Sequence, residues 1–331
     1  MSQVVVAAIL PAISLAIYLV FAPIEFGASF LRLIPNALEK PSHLHNALSP
    51  IWKVSNVFLV FTLTSMAFFF AKATPLVHDF LLVPFICAML AFLIRTTLYL
   101  YLFFTQDKTQ NKLLDILFAG SNFAVPLFFG TVLAYLLSGR MEWFSLTAVT
   151  MYLLIVSSIV LGVSSFYLRY RSERANKKLQ VIADGGFLGY VATVGVLFPW
   201  VAKFEMQHIY SSRAIVALFA IIMLFAAAWF WLRAKAMQKH MWLATNIAVV
   251  SVFAAVLYAQ WPWLVYPSIG FSQAFSGSAY VWYIVVGLGI SLLLIAPGFV
   301  LLYKLMKEQP VGNQASSRPA SLEHKVAKEE K

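Results

Sequence analysis

Charged residues are scarce in this sequence. Asp, Glu, Lys and Arg make up 11% of the 331 residues, whereas 61% are hydrophobic. The mean hydropathy is +0.82. An ordinary soluble domain carries about 25% charged residues, so this composition excludes that class of protein. The sequence therefore predicts an integral membrane protein.

Cysteine and the common catalytic signatures are also nearly absent. Cys87 is the single cysteine, so neither an intrachain disulfide nor a cysteine metal cluster can form. No phosphate-binding loop, dinucleotide fingerprint or nucleophile elbow occurs in a suitable context, which argues against nucleotide-driven or hydrolytic catalysis. No Lys or Arg precedes Arg32. The first apolar run thus lacks the basic region of a cleavable signal peptide, and we expect it to remain as a helix.

Nine apolar runs have a length near the 17 to 25 residues or so that span a hydrocarbon core of ~30 Å. The sixth is the shortest, because three glycines open it and Pro199 lies near its end, so eight spans is the alternative. The runs cover residues 4–24, 52–71, 80–104, 113–137, 143–167, 186–202, 214–232, 242–260 and 280–303.

The basic residues are distributed unevenly between the two sides of these runs. With Lys53 counted in the first loop, 19 of the 24 Lys and Arg residues fall in the loops after the odd-numbered spans and in the tail. Cytoplasmic loops carry such an excess. The pattern predicts an outside amino terminus, a cytoplasmic carboxyl terminus and an odd number of spans. The net charge of +11 is then a topology signal, and nucleic acid is not an expected partner.

Three segments outside the spans have a distinct composition. The basic stretch 169–178 reads as a topology anchor, and the uncharged, aromatic segment 261–278 is expected in the outer interface. Beyond Lys307 the chain is polar and has no apolar period. We therefore predict a transmembrane helical domain over 1–306 and a disordered cytoplasmic tail over 307–331.

Histidine is absent from every predicted span. His43, His45, His78, His208, His240 and His324 all fall in predicted loops or the tail. A membrane haem normally takes axial His, Met or Cys ligands. The methionines and Cys87 are more often packing residues. If the protein works with haem, we expect another chain to bind it, and we predict no metal site here.

Charge within a span is costly and usually functional, and among the ionisable residues within or at the ends of the predicted spans three stand out: Glu25, Lys53 and Arg95. Glu25 is either a proton-handling carboxyl group, or an ion-pair partner of Lys53 or Arg32, or simply an interfacial residue. Arg95 lies deep in the third span, so its guanidinium needs an acceptor from another helix or subunit.

Several stretches, taken in chain order, resemble subunit II of cytochrome bd-type quinol oxidases. The segment FAPIEFGASF resembles the acidic signature at the end of helix one of that family, and SPIWKVSNVFLVF resembles its Pro-x-Trp-acid-x-x-Asn-Val pattern. The remaining similarities are AFLIRTTLYLY at 91–101, the Gly-Ser start of helix four within 118–139, and the closing loop and last helix at 266–306.

The sequence departs from this family at acidic positions. Ala22 replaces the first acid of the helix-one signature and leaves Glu25, Lys53 stands where the family often has an acid, and Leu100 replaces a family Glu. The chain thus resembles a diverged branch. The resemblance makes Glu25, Lys53 and Asn56 the candidate proton pathway, with Arg95 and Trp52 as intramembrane polar contacts.

The resemblance implies an all-α fold of two four-helix bundles and one peripheral helix, in a prokaryotic cytoplasmic membrane. It also implies a partner, the haem-bearing subunit I, with haems held there and none bound directly by this chain. Quinol would be the substrate of the complex, and a small single-helix subunit, lipid or quinone are further candidate partners. The alternative is a secondary transporter or channel-like protein that uses Glu25, Lys53 and Arg95.

Overall fold

A computed structural model describes residues 3–34, 41–104, 112–140, 142–169, 173–277, 281–287 and 289–290. The chain divides into two compact units at residue 284, and every helix and strand named here belongs to the first. The elements are α1 (Gln3–Leu33), α2 (Pro41–Phe69), a 3₁₀ turn (Ala71–Ala73), α3 (Thr74–Phe104), α4 (Lys112–Ser138), α5 (Leu146–Leu168), α6 (Glu173–Ala192), a π-helical turn (Thr193–Leu197), α7 (Phe198–Glu205), α8 (Gln207–Tyr210), α9 (Ala214–Ala234), α10 (Gln238–Gln260), β1 (Trp263–Val265), β2 (Ile269–Gly270) and α11 (Phe271–Ala274).

Eight helical segments in the described part of the chain are long and apolar enough to cross a membrane. They coincide with the first eight predicted runs, so the predicted helical membrane fold is confirmed. The ninth run, 280–303, lies largely outside the described residues, as does the predicted tail at 307–331. The sidedness of the termini stays a prediction.

The sixth span is longer than the sequence indicated. It covers Lys177–Glu205, 29 residues, and includes the π-helical turn. The glycines taken to open this span lie inside the helix. At Gly186 an added Cβ would lie 2.7 Å from the backbone nitrogen of Leu161 on α5. The glycine therefore permits close helix packing and does not interrupt the helix.

The helices form two groups, in agreement with the two predicted bundles. In the first, α1 packs along α2 and α4, and α3 packs along α4; in the second, α5, α6, α9 and α10 pack together. α1 also contacts α5 and α10 of the second group. α4 contacts α5 as well, so both α1 and α4 border the two groups.

The contact between α1 and α5 is a seam of small residues. An ideal Cβ at Gly27 would lie 2.5 Å from Cγ1 of Val163, and one at Gly162 would lie 2.6 Å from Cβ of Pro23. The two backbones are thus as close as their side chains permit. The seam fixes which face of α1 turns toward α5 and which turns toward α2 and α3.

A small hairpin covers one end of the helices, in the segment that the sequence predicted to lie in the outer interface. β1 pairs antiparallel with β2. The amide of Tyr266 donates to the carbonyl of Leu136 on α4 (3.1 Å), and the amide of Ser276 donates to the carbonyl of Phe69 on α2 (2.9 Å). The hairpin segment is thereby tied to two helices of the first bundle.

The glycine seam generates a prediction about stability. Gly162→Ala should destabilise the protein by about 1–3 kcal/mol, because the new methyl group meets the rigid Pro23 ring and the helices must separate. Gly120→Ala is the control, since nothing lies within 4 Å of an ideal Cβ at Gly120. Thermal unfolding of the detergent-solubilised protein measures both. Equal thermal unfolding midpoints for the two variants would contradict a close backbone contact at the seam.

Candidate functional site

Three polar side chains from three helices meet inside the first bundle. Glu25 on α1, Ser55 on α2 and Arg95 on α3 are 5%, 0% and 2% exposed. Nη2 of Arg95 forms an ion pair with Oε1 of Glu25, and the hydroxyl of Ser55 donates to Oε2 of the same carboxylate. Both carboxylate oxygens therefore have a partner. We refer to Glu25, Ser55 and Arg95 as the polar triad.

Local helix geometry brings the triad together. The α1–α5 seam holds Gly27 against α5, and Glu25, two residues earlier, lies about 200° away around the helix and faces α2 and α3. Ser55 also contacts the carbonyl oxygen of Trp52, 3.1 Å from its Oγ, which keeps the hydroxyl near its own helix. The triad thus depends on how α1 is oriented in the fold.

Aromatic rings enclose the guanidinium. Cζ of Arg95 lies 4.9 Å from the ring centroid of Phe26 and 5.2 Å from that of Phe92. Cation–π attraction of this kind is strongest where water is excluded. A buried ion pair loses much solvation, and removing one partner leaves an uncompensated charge. The triad therefore requires both charges to be present.

The remaining predicted site residues lie around the triad. Lys53 is exposed and Asn56 is half-buried. Lys53 lies two residues before Ser55, about 200° around α2, and so faces away from Glu25. The partner of Glu25 in the structure is thus Arg95, in place of the Lys53 considered from sequence. Trp52 stacks on Tyr99 of α3 with 5.3 Å between ring centroids.

Sequence reasoning missed two buried polar residues near this site. Ser55 lies within the segment that contains Lys53 and Asn56. A polar hydroxyl in this apolar run, three residues after Trp52, was the sequence feature that could have identified it. Asn122 on α4 is 1% exposed, and its Nδ2 donates to the carbonyl of Phe118 (2.7 Å). It lies in a stretch noted only for its Gly-Ser start.

The histidines were predicted to lie in loops or the tail, but those in the described residues belong to helices. The polar ends of the helices extend beyond the apolar runs, and the histidines lie there or in the short α8. His43 and His45 are in α2, His78 in α3, His208 in α8 and His240 in α10, while His324 lies outside the described residues. None of the described histidines lies near the middle of a span. The described histidines thus offer no deep axial ligand for a membrane haem.

A second buried carboxylate lies at the same end of the helices as the hairpin. Glu205 at the end of α7 accepts hydrogen bonds from the amide (2.9 Å) and the hydroxyl of Thr147, and from Nη1 of Arg140 (3.0 Å). Thr147 is in the first turn of α5, where a negative charge is favourable. Glu205 therefore anchors α7 to the start of α5.

His208 links three elements at this end. Nε2 of His208 lies 2.9 Å from Oε1 of Gln260, and Nε2 of Gln260 donates to the carbonyl of Leu136 (2.9 Å). Since the amide nitrogen faces a carbonyl, the amide oxygen faces the imidazole, and the histidine nitrogen must donate. The ring also stacks on Tyr266, 3.8 Å between centroids. Burial lowers the pKa of His208, and the bond to Gln260 partly offsets this.

The lowered pKa predicts a dependence of local stability on pH. The folded state favours the neutral imidazole. The contribution of His208 to stability is therefore complete above its ordinary pKa of 6.5 and falls as the pH drops below that value. The protection of the Tyr266 amide from hydrogen exchange, after correction for the intrinsic pH dependence of exchange, should fall more between about pH 7.5 and about pH 5.5 in the native protein than in His208→Phe, which keeps a ring but does not titrate. Equal pH dependence of hydrogen exchange in both proteins would contradict this role.

The ion pair gives a second prediction. Arg95→Leu leaves Glu25 buried without its cation and should cost about 3–5 kcal/mol, whereas Glu25→Gln combined with Arg95→Leu should recover much of this. Arg140→Leu is the control, because the Arg140 side chain is 52% exposed and such a pair contributes about 0–1 kcal/mol. Thermal unfolding measures all three variants. A double variant no more stable than Arg95→Leu would contradict the pairing.

Comparisons with known proteins agree with this architecture. A solved bd oxidase from Geobacillus thermodenitrificans has a chain that superposes with a TM-score of 0.80 at 22% identity, covering 92% of this chain and 99% of that one. This likeness shows the fold. The putative cytochrome bd menaquinol oxidase subunit II of Bacillus subtilis (strain 168) is 33% identical over 129 residues.

That alignment covers 38% of this chain and 36% of the Bacillus subtilis protein, so the match spans about a third of the length of that relative. The family model for cytochrome bd terminal oxidase subunit II matches residues 3–306, which is nearly all of the predicted transmembrane domain. The chain belongs to the cytochrome bd terminal oxidase subunit II family.

Proposed function

We propose that this chain is the haem-free integral subunit of a quinol:oxygen oxidoreductase in the bacterial inner membrane. Its family and its eight described spans support this assignment. The Bacillus subtilis relative is named for menaquinol oxidation, so a quinol is the proposed electron donor of the complex. Quinol oxidation, haem binding and oxygen reduction would belong to the larger partner, subunit I.

The structural part of this role is to stabilise subunit I and shield it laterally. In support, α3 has a largely exposed apolar surface that needs lipid or a partner helix: Val83, Leu90 and Leu93 are 54%, 55% and 61% exposed. Within the chain, the polar triad and the α1–α5 seam hold the helices in a fixed arrangement. A rigid helical surface of this kind suits association with a second membrane subunit.

The chemical part of the proposed role is proton delivery through Glu25. The observation that carries it is the hydrogen bond from the Ser55 hydroxyl to the buried Glu25 carboxylate. A hydroxyl both donates and accepts, so it can receive a proton from one neighbour as it passes one to the next. Lys53 and Asn56 flank Ser55 on α2 and form the proposed inlet on the predicted cytoplasmic side.

The test is oxygen reduction by the purified complex. Glu25→Gln should lower the rate per haem at least about 10-fold, since general acid–base groups typically contribute more than this. Glu205→Gln is a matched control, because the side chains of Glu25 and Glu205 are both 5% exposed and Glu205 lies outside the proposed route. Equal rates for Glu25→Gln and the native complex across neutral pH would make Glu25 structural.

The assignment to an oxidase complex has its own test. A tagged chain purified in mild detergent should bring with it a larger subunit and haem absorbance. The same preparation reconstituted into vesicles should show no solute transport. Isolation of the chain alone, without haem, would contradict the assignment and favour the transporter-like alternative.

A further inference from the structure

Asn122 on α4 lies at the depth of Arg95, as the contacts of α3 with α4 and the geometry of the two helices indicate. Tyr99 on α3 packs against Phe118 on α4, with 6.4 Å between ring centroids. Consecutive spanning helices run in opposite directions. The residue one turn before Tyr99 on α3 therefore lies at the same depth as the residue one turn after Phe118 on α4. Those positions are Arg95 and Asn122, which are 2% and 1% exposed. Both residues lie on the faces through which α3 and α4 touch.

The contacts of α1 place Asn122 on one particular side of the carboxylate. Phe30 of α1 packs against Phe123 of α4, 5.7 Å between ring centroids. Asn122 is thus level with the turn of α1 that follows Glu25 toward the predicted cytoplasmic side. A proton that reaches Glu25 from that side must pass this depth.

The carbonyl oxygen of Asn122 is a buried acceptor without a hydrogen-bond partner among the described residues. Its orientation is fixed, because Nδ2 donates to the carbonyl of Phe118 and a carbonyl cannot donate in return. Reversing the amide would place two acceptors together. The Asn122 oxygen therefore needs a donor, and a buried amide oxygen left without one is costly.

The triad offers few donors. Glu25 is an acceptor, and the Ser55 hydroxyl already donates to it. Arg95 carries five N–H donors, and its Nη2 end is directed to Glu25. A small molecule that accepts from the guanidinium and donates to the amide oxygen would satisfy both groups. Water has this chemistry, and buried waters typically bridge groups that lack protein partners.

We propose that Asn122 and Arg95 hold one ordered water molecule, which extends the hydrogen-bond network of the triad toward the predicted cytoplasmic side. The water donates to Oδ1 of Asn122 and accepts from the guanidinium of Arg95. Asn122 is a positioning residue for this water. Binding of the water stands on the geometry alone, and its use in proton delivery rests on the proposed function.

The first experiment is a high-resolution map of the intact native complex. Density for a water within about 3.2 Å of Oδ1 of Asn122 and of a guanidinium nitrogen of Arg95 is the expected result. A direct bond from Arg95 to Oδ1, with no density between, would overturn the proposal. This measurement does not depend on any variant folding.

The second experiment uses redox-difference infrared spectra of the complex in ordinary and ¹⁸O-labelled water. The native complex should show a water O–H band that shifts with the isotope, and Asn122→Leu should lose it. Asn246→Leu is the control, because the atom of Asn246 on α10 that lacks a hydrogen-bond partner among the described residues is its buried amide nitrogen, not its oxygen. Persistence of the band in Asn122→Leu would overturn the proposal.

The same preparations separate the two proposals by their oxygen-reduction rates. Loss of the water band with an unchanged rate in both Asn122→Leu and Glu25→Gln would support the water site and contradict proton delivery through Glu25. Loss of the band together with a lowered rate in both variants would support both. Retention of the band in Asn122→Leu with a lowered rate in Glu25→Gln would overturn the water site alone.

Discussion

The ion pair between Glu25 and Arg95 is the interaction on which the first bundle depends. Each charge alone would be unfavourable inside a bilayer, so the positions of α1 and α3 depend on each other. Ser55 completes the coordination of the carboxylate. Three helices are thereby fixed in depth as well as in rotation, which apolar packing alone specifies only weakly because lipid is as apolar as the helices.

The seam of small residues on α1 complements this ion pair. Gly27 and Pro23 lie against α5, while Glu25 faces the opposite direction. One helix face thus joins the second bundle by close backbone approach, and the other face joins α2 and α3 by charge. A change in the seam would rotate α1 and misplace the carboxylate, so the structural role of this helix and its proposed chemical role are coupled.

The two buried carboxylates have different surroundings, and this difference separates their proposed roles. Glu205 is held by a backbone amide and hydroxyl at the start of α5 and by Arg140, whose side chain is 52% exposed. Glu25 is held by a hydroxyl and a fully enclosed guanidinium. The first arrangement anchors an interfacial helix end. The second places exchangeable protons within the membrane, where the proposed proton pathway needs them.

The sequence by itself determined the membrane class, the first eight spans and the presence of costly charges at Glu25 and Arg95. These features follow from composition and from runs of apolar residues, which are local properties of the chain. Its resemblance to a known family also gave the two bundles. The same local reasoning misjudged the sixth span, because it treated glycines that permit close packing of α6 on α5 as a helix start.

Only the tertiary structure decided which charges meet. The pairing of Glu25 with Arg95, the exposure of Lys53 and the burial of Ser55 and Asn122 depend on the rotation of each helix about its axis. Rotation is set by contacts between residues distant in sequence, such as the α1–α5 seam. A run of apolar residues fixes the length of a spanning helix but carries little information about its rotation, since nearly all of its faces are apolar.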